Sequence, residues 1–216
     1  MTLNRRTALS LLAGGLALPM MPAGLAFAAP VLPGEARVTM DLYQGDKAIG
    51  RHAYEITGSA AAPTVQTQAA FEGRVLGFRV KYNLASVETW SGGQLSQLRS
   101  RGELRGEAFE VSADRSGGTL SVLNSKGRRL QADPNLLPTT YWMPNFVQQR
   151  QALDTQRGKV LKLNPQPLGA GTFRGRSVQG WDMGGDLPIK IYYDGSGTWS
   201  GLQFSLMGND FEYQRV

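Results

Sequence analysis

From residue 36 onward, apolar and polar residues alternate with a period of two, the spacing of strands that bury one face and solvate the other. Ala36, Val38, Met40 and Leu42 alternate with Arg37, Thr39, Asp41 and Tyr43. After the turn Gln44-Gly45-Asp46-Lys47, a partner strand is expected over Ala48–Thr57. Val65, Thr67, Ala69 and Phe71 share one face of the next strand. The same pattern predicts strands over Val75–Tyr82, Leu84–Trp90, Gln94–Leu104, Ala108–Asp114, Thr119–Asn124 and Arg128–Ala132. Glycine-bearing turns such as Ser91-Gly92-Gly93 and Arg105-Gly106-Glu107 separate them. Connections this short join antiparallel neighbours, because parallel strands need a longer crossover.

Residues 134–157 break the rhythm. Pro134, Pro138 and Pro144 punctuate a loop, and the spacing predicts a short amphipathic helix over Asn145–Gln156. Phe146, Leu153 and Val147 would face inward, Asn145 would cap the start, and Gly158 would close the end. Strands resume over Lys159–Leu163, Arg176–Met183, Leu187–Tyr193, Thr198–Met207 and Phe211–Val216. About a dozen short strands in one meander must close, curl or split, since a flat open sheet of that width is unusual. The fold class is therefore mainly β: one strongly curved antiparallel sheet, a half-barrel, with one short helix insertion near residues 139–157. A two-sheet β-sandwich is the alternative. No linker or repeat divides residues 29–216, which read as one domain.

The amino terminus reads as an address. Arg5 and Arg6 precede an apolar stretch from Ala8 to Leu18, and Ala26-Phe27-Ala28 offers small residues for cleavage after Ala28. The stretch is too short for a bilayer span, which needs about 20 apolar residues. Asn4-Arg5-Arg6-Thr7 resembles a twin-arginine signal, with general secretion as the alternative. The expected partners are therefore the twin-arginine export machinery and signal peptidase. The expected location is the periplasm, with no integral membrane span in the mature form.

Composition narrows the chemistry. In 216 residues there is no cysteine and one histidine, which rules out disulfides, thiol nucleophiles and multi-histidine metal sites. No cofactor and no metal is implied. Removing Arg5 and Arg6 leaves 21 basic residues of 23 against 17 acidic ones, so a net charge of +6 becomes +4. That surplus is too small and dispersed to point to nucleic acid.

Several segments carry a family resemblance. Glu88-Thr89-Trp90-Ser91-Gly92-Gly93-Gln94-Leu95, Pro138-Thr139-Thr140-Tyr141-Trp142-Met143 and Gln151-Ala152-Leu153-Asp154-Thr155 are three of them. Tyr192-Tyr193-Asp194, Gly197-Thr198-Trp199-Ser200-Gly201-Leu202 and the terminal Tyr213 are others. Together they resemble a group of exported bacterial proteins, the domain of unknown function DUF6134. The resemblance spans nearly the whole chain after residue 28 and implies a periplasmic β-rich domain, with no established reaction. A more distant likeness is to curved-sheet periplasmic carriers of lipoproteins and lipids, as an analogy of fold.

Candidate chemistry is sparse. His52 lies on the strand face of Ala48, Gly50, Tyr54 and Ile56, and is a candidate general base or a hydrogen-bonded core residue. Glu88 and Trp90 share a face, where a carboxyl beside an indole would have a raised pKa; the plainer account pairs Glu88 with Arg99 or Arg101 across the turn. Glu88 and His52 are thus the catalytic candidates, and enzyme activity is the least favoured reading. Trp90, Trp142, Tyr193 and Trp199 are the candidates to contact an apolar or anionic amphipathic ligand, with Arg99 or Arg101 at its anionic end. Ordinary core filling is the alternative for the aromatics. Arg74, Arg79, Lys81, Arg99, Arg101 and Arg105 suggest a basic stripe, interrupted by Glu72, Glu88 and Glu103. Asp194-Gly195-Ser196-Gly197 lacks the carboxylates of a calcium loop and reads as a turn. The function these features favour is a non-enzymatic binding or carrier-type domain, with an envelope scaffold or a hydrolase as alternatives.

Overall fold

Strand after strand follows the two-residue alternation. The computed structural model describes residues 32–216, so the export signal, with Arg5, Arg6, Ala26 and Ala28, lies outside the described residues. The first arm comprises β1 (Arg37–Gln44), β2 (Lys47–Ser59), β3 (Ala62–Val75), β4 (Phe78–Ser91), β5 (Gln94–Leu104), β6 (Glu107–Ser116), β7 (Thr119–Asn124) and β8 (Arg129–Ala132). An insertion follows with β9 (Leu137–Pro138), β10 (Gln151–Leu153) and β11 (Val160–Lys162). The second arm holds β12 (Gln166–Phe173), β13 (Arg176–Asp182), β14 (Ile189–Tyr193), β15 (Trp199–Leu206) and β16 (Asn209–Arg215).

The two arms form one sheet. Its order is β12-β13-β14-β15-β16-β1-β2-β3-β4-β5-β6-β7-β8, thirteen strands and open, because β12 and β8 stay at opposite edges. Every pair in it is antiparallel, and the first described strand joins the last where β16 pairs with β1, Leu42 opposite Tyr213. Inner-face side chains come from alternate positions: Val38, Met40 and Leu42 on β1, Val80, Tyr82 and Leu84 on β4. On β5 the buried positions change parity from Leu95 to Leu98, because Ser96 is an extra residue opposite Thr89 and Trp90. At Gly201 a Cβ would lie 2.1 Å from the Phe173 ring of the β12–β13 hairpin, so any side chain there would have to displace that ring.

The sheet curls around the insertion. Trp142, Met143, Phe146, Ala152 and Leu153 share a single core cluster with side chains from both arms. Tyr193 of the second arm donates its hydroxyl to the carbonyls of Tyr141 (2.8 Å) and Met143 (3.2 Å). On the first arm's side, Trp142 reaches Glu88. One continuous curved sheet is therefore the architecture, rather than two stacked sheets. No helix among the described residues is long and apolar enough to cross a membrane.

Three local expectations need correction. The helix expected over Asn145–Gln156 is a 3-10 turn of five residues, Pro144–Gln148, and Asn145 makes no capping bond. The backbone of Gln151–Leu153 is taken instead by β9 and β11, a tertiary pairing that overrides a short helix with a costly nucleus. The strands expected over Val75–Tyr82 and Leu84–Trp90 are replaced by one strand, β4, which starts only at Phe78: Val75 ends β3, Leu76 and Gly77 form the turn, and Asn83 continues the alternation on the outer face. Strand β12 was not anticipated: Pro167, Gly169 and Gly171 give it no alternation, and as an edge strand it is exposed up to Phe173.

Candidate functional site

Glu88 sits at the centre of the inner face. Even-numbered positions of β4 point inward, so Glu88 and Trp90 share that face, and the insertion brings Trp142 against both. Glu88 Oε2 accepts hydrogen bonds from Trp90 Nε1 (3.0 Å) and Trp142 Nε1 (2.9 Å), and the two indoles meet edge to face with centroids 5.4 Å apart. The carboxyl is fully buried. Burial raises its pKa above the ordinary carboxylate range, and the Thr140 hydroxyl and the two indoles offset this in part. The Thr140 hydroxyl is near enough to act on the carboxyl, but neither it nor Oε1 completes a well-formed hydrogen bond among the described residues. The raised pKa keeps the carboxyl protonated to a higher pH than an exposed glutamate.

The expected ion pair of Glu88 with Arg99 or Arg101 is overturned. Glu88 lies opposite Leu98, so both arginines project from the other face. There Arg99 pairs with Asp114 (2.7 Å) and donates to the carbonyls of Leu98 and Ala113. Arg101 lines a shallow outer groove beside Arg51, Glu103 and Glu110.

His52 occupies a different part of the inner face. It pairs in register with Ala69, which faces Leu84, whereas Glu88 lies four residues further along β4. That offset is about 13 Å along the strand, so the two catalytic candidates do not form a dyad. The imidazole is buried against the edges of Trp199 (centroids 4.9 Å) and Tyr213 (5.6 Å), and its Nε2 has no partner among the described residues. Desolvation lowers its pKa to about 4, so it is neutral at pH 7.

Around His52 the two arms leave a cleft of about 250 Å³. Ala69, Phe71, Tyr82, Leu84 and Leu104 form the wall on the first arm. Ile189, Leu202, Phe204 and Tyr213 form the wall on the second. Thr139, Tyr141, Thr155 and Gln156 roof it from the insertion, and Gln156 donates to the Tyr82 hydroxyl (3.0 Å). Tyr141 holds a left-handed φ of 64°, unusual for a bulky residue, and such strain collects at ligand clamps. Burial pushes the hydroxyls of Tyr82, Tyr141 and Tyr213 upward in pKa, which keeps them neutral.

The four aromatic ligand candidates lie elsewhere. Trp90, Trp142, Tyr193 and Trp199 are each 3% exposed or less, and none of them lines the cleft. Their packing and hydrogen bonds fix the insertion inside the curl: Trp142 bonds from it to Glu88, Tyr193 bonds across to it, and Trp199 packs on Tyr141 with centroids 5.6 Å apart while also backing His52. Of the wall residues, Ala69 and Phe71 are placed on one strand face by the alternation, and only the curl shows that this face borders a void.

A further feature escaped the sequence reading. Tyr54, Thr67, Ser86 and Ser100 lie on one register rung across β2–β5, all buried, and none of their hydroxyls has a partner among the described residues. The rung separates the cleft from the Glu88 site. Asp194 behaves as a turn residue, accepting from Ser196 and Thr198 amides and from Arg215 (2.8 Å).

Compared with known proteins, the chain matches over residues 40–216 the family model described as Domain of unknown function (DUF6134). No curated protein matches it. Among solved structures, a beta-barrel-like protein of domain of unknown function DUF1849 from Brucella abortus is similar, with a TM-score of 0.56 and 15% identity. That match covers 88% of this chain and 98% of the other, and it speaks to the fold alone.

Proposed function

The chain belongs to the DUF6134 family, and from that premise we propose that it is an exported, non-enzymatic binding domain that holds the apolar part of an amphipathic molecule in the cleft around His52. The observation that carries this reading is the cleft itself, a hollow of about 250 Å³ walled by apolar and aromatic side chains from both arms. A few polar groups converge on it, His52, Thr139 and Gln156, the composition expected of a small-molecule site. Its size suits one acyl chain or ring system rather than a whole two-chain lipid, since pockets for drug-sized ligands span about 300–1,000 Å³. Catalysis has less support, because Glu88 is sealed and His52 lies far from it. Export to the periplasm after cleavage at Ala28, by the twin-arginine route, supplies a setting in which such ligands occur.

Native mass spectrometry of protein recovered without detergent tests the binding reading. The expected spectrum shows a fraction carrying one small amphiphile, lost in Ala69→Phe, which fills the cleft between His52 and Leu84. A spectrum of ligand-free protein that also takes up no added single-chain amphiphile would overturn it. The intact mass of the exported chain tests the address: it should begin at Ala29, and a retained amino terminus would contradict cleavage there.

A further inference from the structure

Three hairpin turns at one end of the sheet carry side chains that the turns themselves disfavour. Strands β3, β5 and β15 run in the same direction, so the β3–β4, β5–β6 and β15–β16 turns emerge together. Each is a two-residue turn with positive φ at both positions. These are Leu76 (50°) and Gly77 (81°), Arg105 (55°) and Gly106 (83°), and Met207 (49°) and Gly208 (75°). That geometry favours Asn, Asp or Gly at the first position, and Leu, Arg or Met is held there at a conformational cost. Arg174 (48°) and Gly175 (78°) repeat this geometry elsewhere, in the β12–β13 hairpin, so what sets the three tips apart is the apolar surface their side chains expose.

Those side chains form an exposed apolar surface with a cationic collar. Leu76 is 67% exposed, Phe78 76% and Met207 55%. They line one depression with Arg79, Lys81 and Arg105, and no carboxylate lines it among the described residues. Glu72 pairs with Arg79 from the neighbouring strand (2.7 Å), and Arg74 is a further exposed cation at this end. Gln44 ties the tips together by donating to the Arg74 carbonyl (2.6 Å) and to Asn209 Oδ1 (3.0 Å). The β1–β2 turn emerges at the same end, where Asp46 and Asp210 line a separate groove; in the depression itself, apolar tips ringed by cations suit the headgroup region of an anionic bilayer. A symmetric pairing with a second copy would set these cations against their own kind.

The same end leads to the cleft. Inner-face positions of β4 run Phe78, Val80, Tyr82 and Leu84, the first exposed and the others buried, and the last two stand in the cleft wall. Leu104 of that wall adjoins Arg105, and Phe204 lies three residues from Met207. We infer that this end of the sheet docks on an anionic phospholipid bilayer, with Leu76, Phe78 and Met207 entering the interface while Arg79, Lys81 and Arg105 meet lipid phosphates. Docking stands on the tips alone; the route it opens into the cleft rests on the binding reading above.

Sedimentation with vesicles of phosphatidylcholine, with and without phosphatidylglycerol, tests this. Residues 1–28 are common to every variant, so differences between variants read the tips. The parent protein should bind the anionic vesicles and release with salt. Lys81→Gln and Arg105→Gln should each weaken partitioning about fivefold. Leu76→Asn with Met207→Asn should weaken it about tenfold or more while holding or raising the melting temperature, because Asn suits both turns. Equal binding by parent and variants, or none by the parent, overturns the inference. So does pelleting without vesicles that the tip variants abolish, which would mark self-association. Amphiphile uptake measured without vesicles should be unchanged in the tip variants, so failure of the cleft reading and failure of docking give separate signals.

Discussion

Replacing Glu88 with Gln isolates the energetics of the buried carboxyl. The amide keeps the shape, its oxygen still accepts from Trp90 and Trp142, and its nitrogen faces Thr140. Only the titration is lost. In the folded protein burial raises the Glu88 pKa above its ordinary 4.5, so folding favours the protonated acid. That contribution is whole below pH 4.5 and drains away as pH rises through the folded-state pKa. Across that window the loss is about 1.4 kcal/mol per pH unit for the parent and zero for Glu88→Gln. Urea unfolding of both proteins at pH 4.5, 5.5, 6.5 and 7.5 reads the difference directly. The variant should match the parent within about 1 kcal/mol at pH 4.5 and then gain on it, levelling off where the buried acid ionises. Histidine titration is common to both and cancels in the difference. Parallel stability curves, with a constant offset across the range, would refute a raised Glu88 pKa.

His52 should show the opposite slope. A folded-state pKa of about 4 against 6.5 unfolded means stability is whole above pH 6.5 and falls by about 3 kcal/mol as pH drops to 4. Imidazole nitrogen shifts followed by NMR should report a neutral ring at pH 5.5, and a midpoint near 6.5 would contradict its burial. Trp142→Phe removes one of the two donors to Glu88 and should cost about 1–3 kcal/mol in chemical denaturation, loosening the insertion. Arg99→Ala breaks an exposed pair with Asp114 and should cost no more than about 1 kcal/mol, with amphiphile uptake unchanged. A loss of uptake in that variant would restore Arg99 as a ligand contact.

The sheet was legible wherever alternation was clean. Val38, Met40 and Leu42, or Val80 through Trp90, announce their inner face by period alone. Strand β12 was not, because an exposed edge bearing Pro167 and two glycines has no face to bury. The insertion misled for a related reason: Phe146, Val147, Ala152 and Leu153 are buried in adjacent pairs, and β9 and β11 supply the backbone partners that a helix would otherwise provide. Glu88 beside Trp90 was readable as a desolvated carboxyl. Its second indole, from Trp142, is 54 residues away in sequence and depends on the curl. The arginine partner failed because strand parity puts Arg99 and Arg101 on the outer face. The aromatic surplus likewise divides between core and cleft wall only once both arms close around the insertion.

Calorimetric titration with a single-chain lysophospholipid below its micelle concentration, repeated over a range of temperatures, addresses the cleft most directly. One saturable site with a negative heat-capacity change, lost in Ala69→Phe while that variant remains folded, is the predicted result. Heats that never saturate, or that persist unchanged in Ala69→Phe, would contradict it.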